Sequence, residues 1–234
     1  MARKVLHRLS PEEKVGPVLR ALEQRYGAPR RPHLDPLEVL VRGILSQNTT
    51  DVNSDRAYGK LMRTFRSWRG VDAARRSVIE RAIREGGLAV QKAAAIKSVL
   101  RRLRGGGRYS LRFLEKMSPA EAERELTSIK GVGVKTARLV LLFAFGRPVF
   151  VVDTHVHRVT RRLGLIPDGC TREKAHVLLD ALVPDRRKYS GHMNLIRHGR
   201  EVCRARAPLC AECCARRWCA FVRHKGGERS AAPR

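Results

Sequence analysis

The side chains with the most distinctive chemical potential are four closely spaced cysteines, Cys203, Cys210, Cys213 and Cys219. Four thiolates within 17 residues can enclose one compact metal centre, because little chain has to be closed around it. Zinc sites more often contain two C-x2-C pairs separated by a longer stretch. A single C-x2-C pair between two longer arms suits a [4Fe–4S] cluster. The alternatives are zinc and free or disulfide-bonded cysteines.

The remaining two cysteines are weaker candidates for metal ligands. Cys214 could replace Cys213 as a ligand. Two adjacent residues have an unfavourable geometry for binding the same metal centre, so only one of them is expected to be a ligand. Cys170 is expected to be a small buried hydrophobic residue. A thiolate-ligated cluster of this type carries net negative charge, and arginines surround the four cysteines in the sequence: Arg200, Arg204, Arg206, Arg216 and Arg217.

A second candidate site is the segment Ile129–Ala137, which contains Lys130, Gly131 and Gly133 directly before a strongly apolar helix. Glycine allows a phosphate to approach the backbone closely, and the free N–H groups and dipole of a helix N-terminus favour an anion. The segment therefore predicts a helix-hairpin-helix phosphate clamp that is indifferent to base sequence. A plain turn between two helices is the alternative.

Two residues could perform covalent chemistry. Lys135 lies in the first turn of the predicted apolar helix, where helix-end potential and partial burial favour the neutral, nucleophilic amine. Its simpler interpretation is a phosphate-binding lysine. Asp153 follows 18 residues later and could act as a catalytic carboxylate, although an aspartate before a helix is also an ordinary N-cap.

Composition restricts the partners of these residues. The 234-residue chain has 49 Lys and Arg against 22 Asp and Glu, giving a formal charge of +27 and a pI near 11.3. A field of this strength predicts nucleic acid or an anionic membrane surface as the partner. No apolar run is long enough to span a bilayer, so we expect a soluble, intracellular protein that does not enter the membrane.

The elements that carry these residues are predicted to be helical almost throughout. Ser10-Pro11-Glu12-Glu13 and Ser118-Pro119-Ala120-Glu121 have the form of capping boxes with proline at the first helical position. Val149–Val152 is the one possible strand, and four residues without a partner do not form a sheet. The predicted fold class is all-α. Helical periodicity extends over further segments near residues 36–44, 50–65, 78–83, 93–103, 134–145, 154–163, 171–182 and 186–198.

These motifs together resemble a known family. Gly131–Ala137, Val152–His155, His198–Arg200 and the four cysteines occur in the order and with the gaps of endonuclease III, the helix-hairpin-helix DNA glycosylases with AP lyase activity. The resemblance extends from about Pro36 to Cys219. It implies a monomeric, two-lobed protein that binds damaged duplex DNA between its lobes.

The resemblance also implies domain boundaries. One lobe, residues 35–147, would be a six-helix bundle that carries the hairpin. Residues 1–34 and 148–225 would form the other, with the [4Fe–4S] loop at 203–219. Residues 226–234 are rich in small and charged side chains and are expected to be a flexible tail.

By the same resemblance, Lys135 corresponds to the nucleophile, Asp153 to the catalytic carboxylate and the four cysteines to the cluster ligands. Leu45–Asp51 resembles the segment that fills the space left by a flipped nucleotide, with Gln47 or Asn48 as the filling residue. Leu88 corresponds to the tip of the opposite wedge loop. Further DNA contacts are implied for Lys130, Gly131, Gly133, His155, Arg200, Arg204 and Arg206.

The function implied is base excision repair, in which oxidised pyrimidines are removed from duplex DNA and the abasic site is nicked by β-elimination. Two alternatives remain at this point. One is a monofunctional glycosylase that removes adenine, uracil or thymine from mispairs, and the other is a DNA-binding module without catalysis. Such a protein would be cytoplasmic and associated with the nucleoid.

Overall fold

The computed structural model describes residues 9–105 and 108–223, and within these ranges it is helical and contains no strand. The expected flexible tail at 226–234 lies outside the described residues. The α-helices are α1 (Pro11–Tyr26), α2 (Pro36–Leu45), α3 (Asp51–Phe65), α4 (Trp68–Ala73), α5 (Arg76–Ala82), α6 (Ala89–Arg104), α7 (Pro119–Thr127), α8 (Val134–Phe143), α9 (Thr154–Leu163), α10 (Arg172–Leu182) and α11 (Lys188–Glu201). Short 3-10 helices occupy Arg84–Gly86, Arg112–Lys116, Asp185–Arg187, Cys210–Glu212 and Arg216–Trp218.

Both predicted capping boxes are present. Ser10 Oγ accepts a hydrogen bond from the Glu13 backbone N–H, and the Glu13 carboxylate accepts one from the Ser10 N–H at 2.7 Å. Ser118 and Glu121 repeat the arrangement at the start of α7. Each box satisfies two donors that a helix start leaves unpaired, so these boundaries are set by local sequence.

The chain divides into two compact units, and Pro32–Arg147 forms one of them. In this unit α2 packs against α3, α6 and α8, and fully buried aliphatic side chains fill the space between them: Leu40, Ile44, Ile96, Leu100 and Val140. The expected six helices are accompanied by the six-residue α4, which the periodicity did not predict.

The second unit combines α1 with the described residues after Arg147. Its core packs α11 against α9 and α1, with Phe150, Leu22 and Val156 fully buried. The apolar run Val149–Val152 is buried but does not form a strand. Its carbonyls are paired with histidine rings, because His176 bonds to Phe150 O at 3.2 Å and His192 to Val151 O at 3.0 Å.

No helix in the described part of the chain has both the length and the hydropathy needed to cross a membrane.

Candidate functional site

The hairpin between α7 and α8 is well supported by local interactions. The Val132 N–H donates to Ile129 O at 3.0 Å and closes the turn. Arg138 on α8 donates to Glu123 on α7 at 2.8 Å, and both side chains of this ion pair are largely buried. The two helices are therefore held in a fixed arrangement on either side of the glycine turn.

The two hairpin glycines have different physical roles. Gly131 has φ +93°, and a Cβ there would lie 2.4 Å from the Ala95 Cβ, so both backbone conformation and space require glycine. Gly133 has an ordinary φ of −92°, and a Cβ there would meet nothing within 4 Å. The fold does not need glycine at position 133, and its surface is open to the approach of a ligand.

Lys135 is half-buried at the second position of α8. No side chain caps this helix, so the N-terminal N–H groups beside Lys135 have no side-chain acceptor. Among the described residues, the Lys135 ammonium has no hydrogen-bond or ion-pair partner. By contrast, Lys92 and Lys188 donate to backbone carbonyls at 2.7 Å.

The candidate DNA-insertion residues lie on two turns of the same unit, 32–147. Asn48 is exposed with φ +48°, and Leu88 is 46% exposed with φ +49°. A left-handed conformation is unfavourable for a non-glycine residue and especially for leucine, so both turns are held by their surroundings. Gln47 is half-buried, and its Nε2 donates to Thr136 Oγ1 at 3.4 Å, next to Lys135.

Asp153 is the N-cap of α9, in the other unit. Its Oδ1 accepts a hydrogen bond from the Val156 N–H at 2.7 Å, as its capping interpretation requires. Within the described residues, the second carboxylate oxygen, Oδ2, has no hydrogen bond or ion pair. Capping therefore uses one oxygen and leaves the other for a second task.

His155 and Arg158, both on α9, connect the Asp153 helix to the cysteine loop. Arg158 donates to Gly199 O at 2.7 Å and to Cys203 O at 3.0 Å, and it also contacts His155 Nδ1 at 3.1 Å. Burial lowers the pKa of His155. A Cβ at Gly199 would lie 2.9 Å from the His155 Cβ, so glycine permits the close approach of α9 and α11.

The four candidate ligands, Cys203, Cys210, Cys213 and Cys219, line one cavity, and Cys214 does not line it. The other lining side chains are mainly aliphatic. Among the described residues, no three Cys, His, Asp or Glu side chains are arranged to hold a single metal ion. Burial raises the pKa of the Cys213 thiol to about 12 and also raises that of Cys219.

Two residues beside this cavity were given no role by the sequence analysis. Arg162 on α9 donates to Arg204 O at 2.6 Å and Ala205 O at 3.0 Å, and approaches Cys203 Sγ at 3.5 Å. His198 on α11 lies 3.3 Å from Cys213 Sγ through Nε2 and 3.0 Å from the Tyr26 hydroxyl through Nδ1. The Tyr26 hydroxyl can donate to Nδ1, which leaves Nε2 to donate to the sulfur.

The remaining predicted DNA contacts are surface residues. Lys130 is exposed in the hairpin turn, while Arg200, Arg204 and Arg206 are exposed at the end of α11 and in the cysteine loop. The structure thus places Lys135, the hairpin and the two candidate insertion turns in one unit. Asp153, His155 and the cysteines belong to the other unit.

Comparisons with known proteins agree with one another. Residues 41–185 match the family described as HhH-GPD superfamily base excision DNA repair protein. Endonuclease III of Thermotoga maritima is 34% identical over 194 residues, which is 82% of this chain and 86% of that protein.

Two further comparisons extend this result. A protein of Arabidopsis thaliana provisionally named a DNA glycosylase is 41% identical over 178 residues, and the match spans 76% of this chain but only 58% of that protein's length. A solved structure of a trapped endonuclease III–DNA covalent intermediate has a TM-score of 0.79 at 26% identity, covering 92% of this chain and 98% of that chain.

Proposed function

Because the chain belongs to the HhH-GPD superfamily of base excision DNA repair proteins, and within it to the endonuclease III family, we propose that it is a bifunctional DNA glycosylase and AP lyase. Its proposed substrates are oxidised pyrimidines in duplex DNA and the abasic sites that their removal leaves. It acts as a monomer, in the cytoplasm, at the nucleoid.

The observation that carries this proposal is the environment of Lys135. It is half-buried in the first turn of α8, beyond an open glycine turn, and has no partner among the described residues. A lysine that only stabilised the fold would donate its hydrogens to protein acceptors, as Lys188 does. An amine without such partners at a helix N-terminus is suited to nucleophilic attack.

The proposed reaction follows from this amine. The Lys135 amine attacks the sugar C1′, the C1′–N bond to the damaged base breaks, and the base leaves with the bonding electron pair and takes up the proton that the amine loses. Ring opening yields a Schiff base between the lysine nitrogen and C1′. Loss of a C2′ proton then expels the 3′ phosphate by β-elimination, which nicks the strand. The similarity to a structure of endonuclease III trapped covalently on DNA supports this route.

Asp153 has a separate proposed role in this reaction. Its Oδ1 is occupied by the helix cap, whereas Oδ2 can stabilise positive charge that develops on the sugar and assist proton transfers. Because the cap fixes the rotamer, the carboxylate needs little reorganisation when the reaction begins. The monofunctional alternative relies on an aspartate that activates water, and the unpartnered Lys135 favours the bifunctional route.

A stacked base is out of reach of this chemistry, so the target nucleotide must be flipped out of the duplex. We assign the exposed left-handed turns at Asn48 and Leu88 to this task. Gln47 or Asn48 fills the space that the nucleotide leaves, and Leu88 wedges the opposite strand as an apolar tip. The lesion range depends on these residues because they determine which base pairs are opened.

Phosphate contacts position the duplex independently of sequence. The uncapped start of α8 and the open surface at Gly133 suit a phosphate, and Lys130 adds a positive charge to the same turn. The further contacts are assigned to His155, Arg200, Arg204 and Arg206. The formal charge of +27 supports a polyanionic partner.

The cysteine cavity is the proposed site of a [4Fe–4S] cluster held by Cys203, Cys210, Cys213 and Cys219. Four thiols that line one cavity are the ligand set that a [4Fe–4S] cluster uses. The cationic Arg162 beside Cys203 and the donor His198 beside Cys213 offset the charge of thiolate ligands. The group's role is structural, because it fixes the loop that carries Arg204 and Arg206.

Protein purified anaerobically should be yellow-brown and contain about four irons per chain, since four thiolates are the ligand set of such a cluster. Cys213→Ser should lower the iron content and the melting temperature, whereas Cys214→Ser should change neither, because Cys214 does not line the cavity. Iron analysis and the visible spectrum are the measurements. A colourless preparation with one zinc per chain would contradict the assignment.

The function is tested with a panel of lesion-bearing duplexes on which base release and strand nicking are measured separately, each with borohydride trapping. We expect release and nicking on thymine glycol and other ring-damaged pyrimidines, and a trapped adduct on an abasic site. Release without nicking or trapping would favour the monofunctional alternative. Binding without either activity would favour the non-catalytic module.

A further inference from the structure

Lys92 on α6 is a buried ammonium that the proposed reaction does not use. Its side chain is 1% exposed, and its Nζ donates to two backbone carbonyls, Leu45 O and Gly86 O, each at 2.7 Å. Among the described residues, no carboxylate pairs with it. Burial lowers the pKa of Lys92.

The two acceptors lie at special positions in the chain. Leu45 is the last residue of α2, three residues before Asn48, and Gly86 lies two residues before Leu88. The Lys92 backbone N–H also donates to Leu88 O at 3.0 Å. Lys92 therefore bonds to the backbone at or just before both candidate insertion turns, whose tips Asn48 and Leu88 are exposed and left-handed.

The buried ammonium of Lys92 is energetically unfavourable if its role is only to stabilise the fold. A buried charge without a counter-ion is costly, and an apolar side chain of similar length would fill the same space more cheaply. In return, charge-assisted hydrogen bonds hold the two carbonyls more tightly than neutral donors would. Close packing reinforces the arrangement, since a Cβ at Gly86 would lie 3.1 Å from the Ala57 Cβ and 4.0 Å from Leu45 O.

We propose that Lys92 is a positioning residue that couples the two insertion turns, so that the Gln47–Asn48 tip and the Leu88 tip enter the duplex together at a fixed separation. The inference rests on the proposed function, because it assumes that both tips act on DNA. Lys92 touches neither the substrate nor the reacting atoms, and acts only through the carbonyls of Leu45 and Gly86.

The test compares one lesion in two contexts, a paired duplex and a mismatched bubble, in which flipping costs less energy. Lys92→Met should lower excision from the paired duplex by about 10- to 100-fold, the scale of a displacement of about 1 Å, and excision from the bubble by no more than about 2-fold. The fluorescence of 2-aminopurine beside an abasic site measures tip insertion without excision, and the variant should reduce its rise on binding.

Lys97→Met is the matched control. Lys97 lies on the same helix, and its Nζ also donates to two backbone carbonyls, those of Asp72 and Ala74, which are not part of either insertion turn. It differs from Lys92 in an added ion pair with the Asp72 carboxylate at 3.9 Å. Its loss should lower the melting temperature but leave the paired-to-bubble ratio of excision rates unchanged. Lys92→Gln, which keeps a neutral donor, replaces Lys92→Met if that variant does not fold.

Each outcome has a distinct meaning. Two results would show that Lys92 only stabilises the core and would overturn the proposal. One is an equal loss of excision on the paired and bubble substrates. The other is no loss on either substrate together with a normal rise of 2-aminopurine fluorescence. If the wild-type protein inserts its tips but excises nothing, the glycosylase function fails. The fluorescence difference between wild type and Lys92→Met would then still decide the positioning role.

Discussion

Replacing Lys135 with glutamine is expected to abolish both the borohydride-trapped adduct and the coupled nicking of a lesion-bearing duplex, while duplex binding survives. Only an amine can form the Schiff base with C1′, and glutamine removes it while keeping a side chain of similar length. Lys135 has no hydrogen-bond or ion-pair partner among the described residues, so its loss leaves no protein group unsatisfied and should change the melting temperature little. Denaturing gels after borohydride treatment measure the adduct.

Lys135→Arg separates this role from phosphate binding. Arginine keeps the positive charge and can still bind a phosphate, but its guanidinium does not lose a proton at neutral pH and cannot act as the nucleophile. We expect the arginine variant to bind DNA normally and to give no adduct. If either variant still gives a trapped adduct on an abasic-site duplex, another amine is the nucleophile.

Features that depend on neighbouring residues could be predicted from the sequence. The capping boxes at Ser10 and Ser118, the glycine turn before α8 and the N-cap at Asp153 each depend on side chains within three or four positions. All the residues that form such a cap or turn lie within a few positions of one another, because the hydrogen bonds that define it span one helical turn.

Features that depend on distant segments could not be predicted. The bond from Lys92 to Leu45 O joins residues 47 positions apart. The bonds from Arg162 to the cysteine loop join residues 41 or more positions apart. In the sequence, Lys92 is one more basic residue in a chain with 49 of them. Its burial follows from the packing of α6 against α2, which no local pattern encodes.

The hairpin turn combines a feature that the local sequence predicts with one that depends on a distant residue. Gly131 and Gly133 look equivalent in the sequence, and both predict a close backbone approach. Their difference depends on Ala95, which lies against Gly131 and leaves Gly133 open. The fold therefore requires one glycine, and the other is available for a ligand.

Asp153→Asn is expected to lower turnover by at least about 100-fold, the scale of removing a positioned acid–base or electrostatic group, with little change in DNA affinity. Asparagine caps a helix about as well as aspartate, so the bond to the Val156 N–H is retained and only the carboxylate charge is lost. Single-turnover excision at saturating enzyme measures the effect on chemistry apart from binding.

Asp153→Ala supplies the stability reference, because it removes the cap and the charge together. It should cost about 1 kcal/mol of folding free energy, the usual value of an N-cap, whereas Asp153→Asn should not lower the melting temperature measurably. The alanine and asparagine variants should therefore differ in stability and share the same loss of turnover. Near-normal turnover in the asparagine variant, with a loss confined to alanine, would show that Asp153 serves α9 only as a cap.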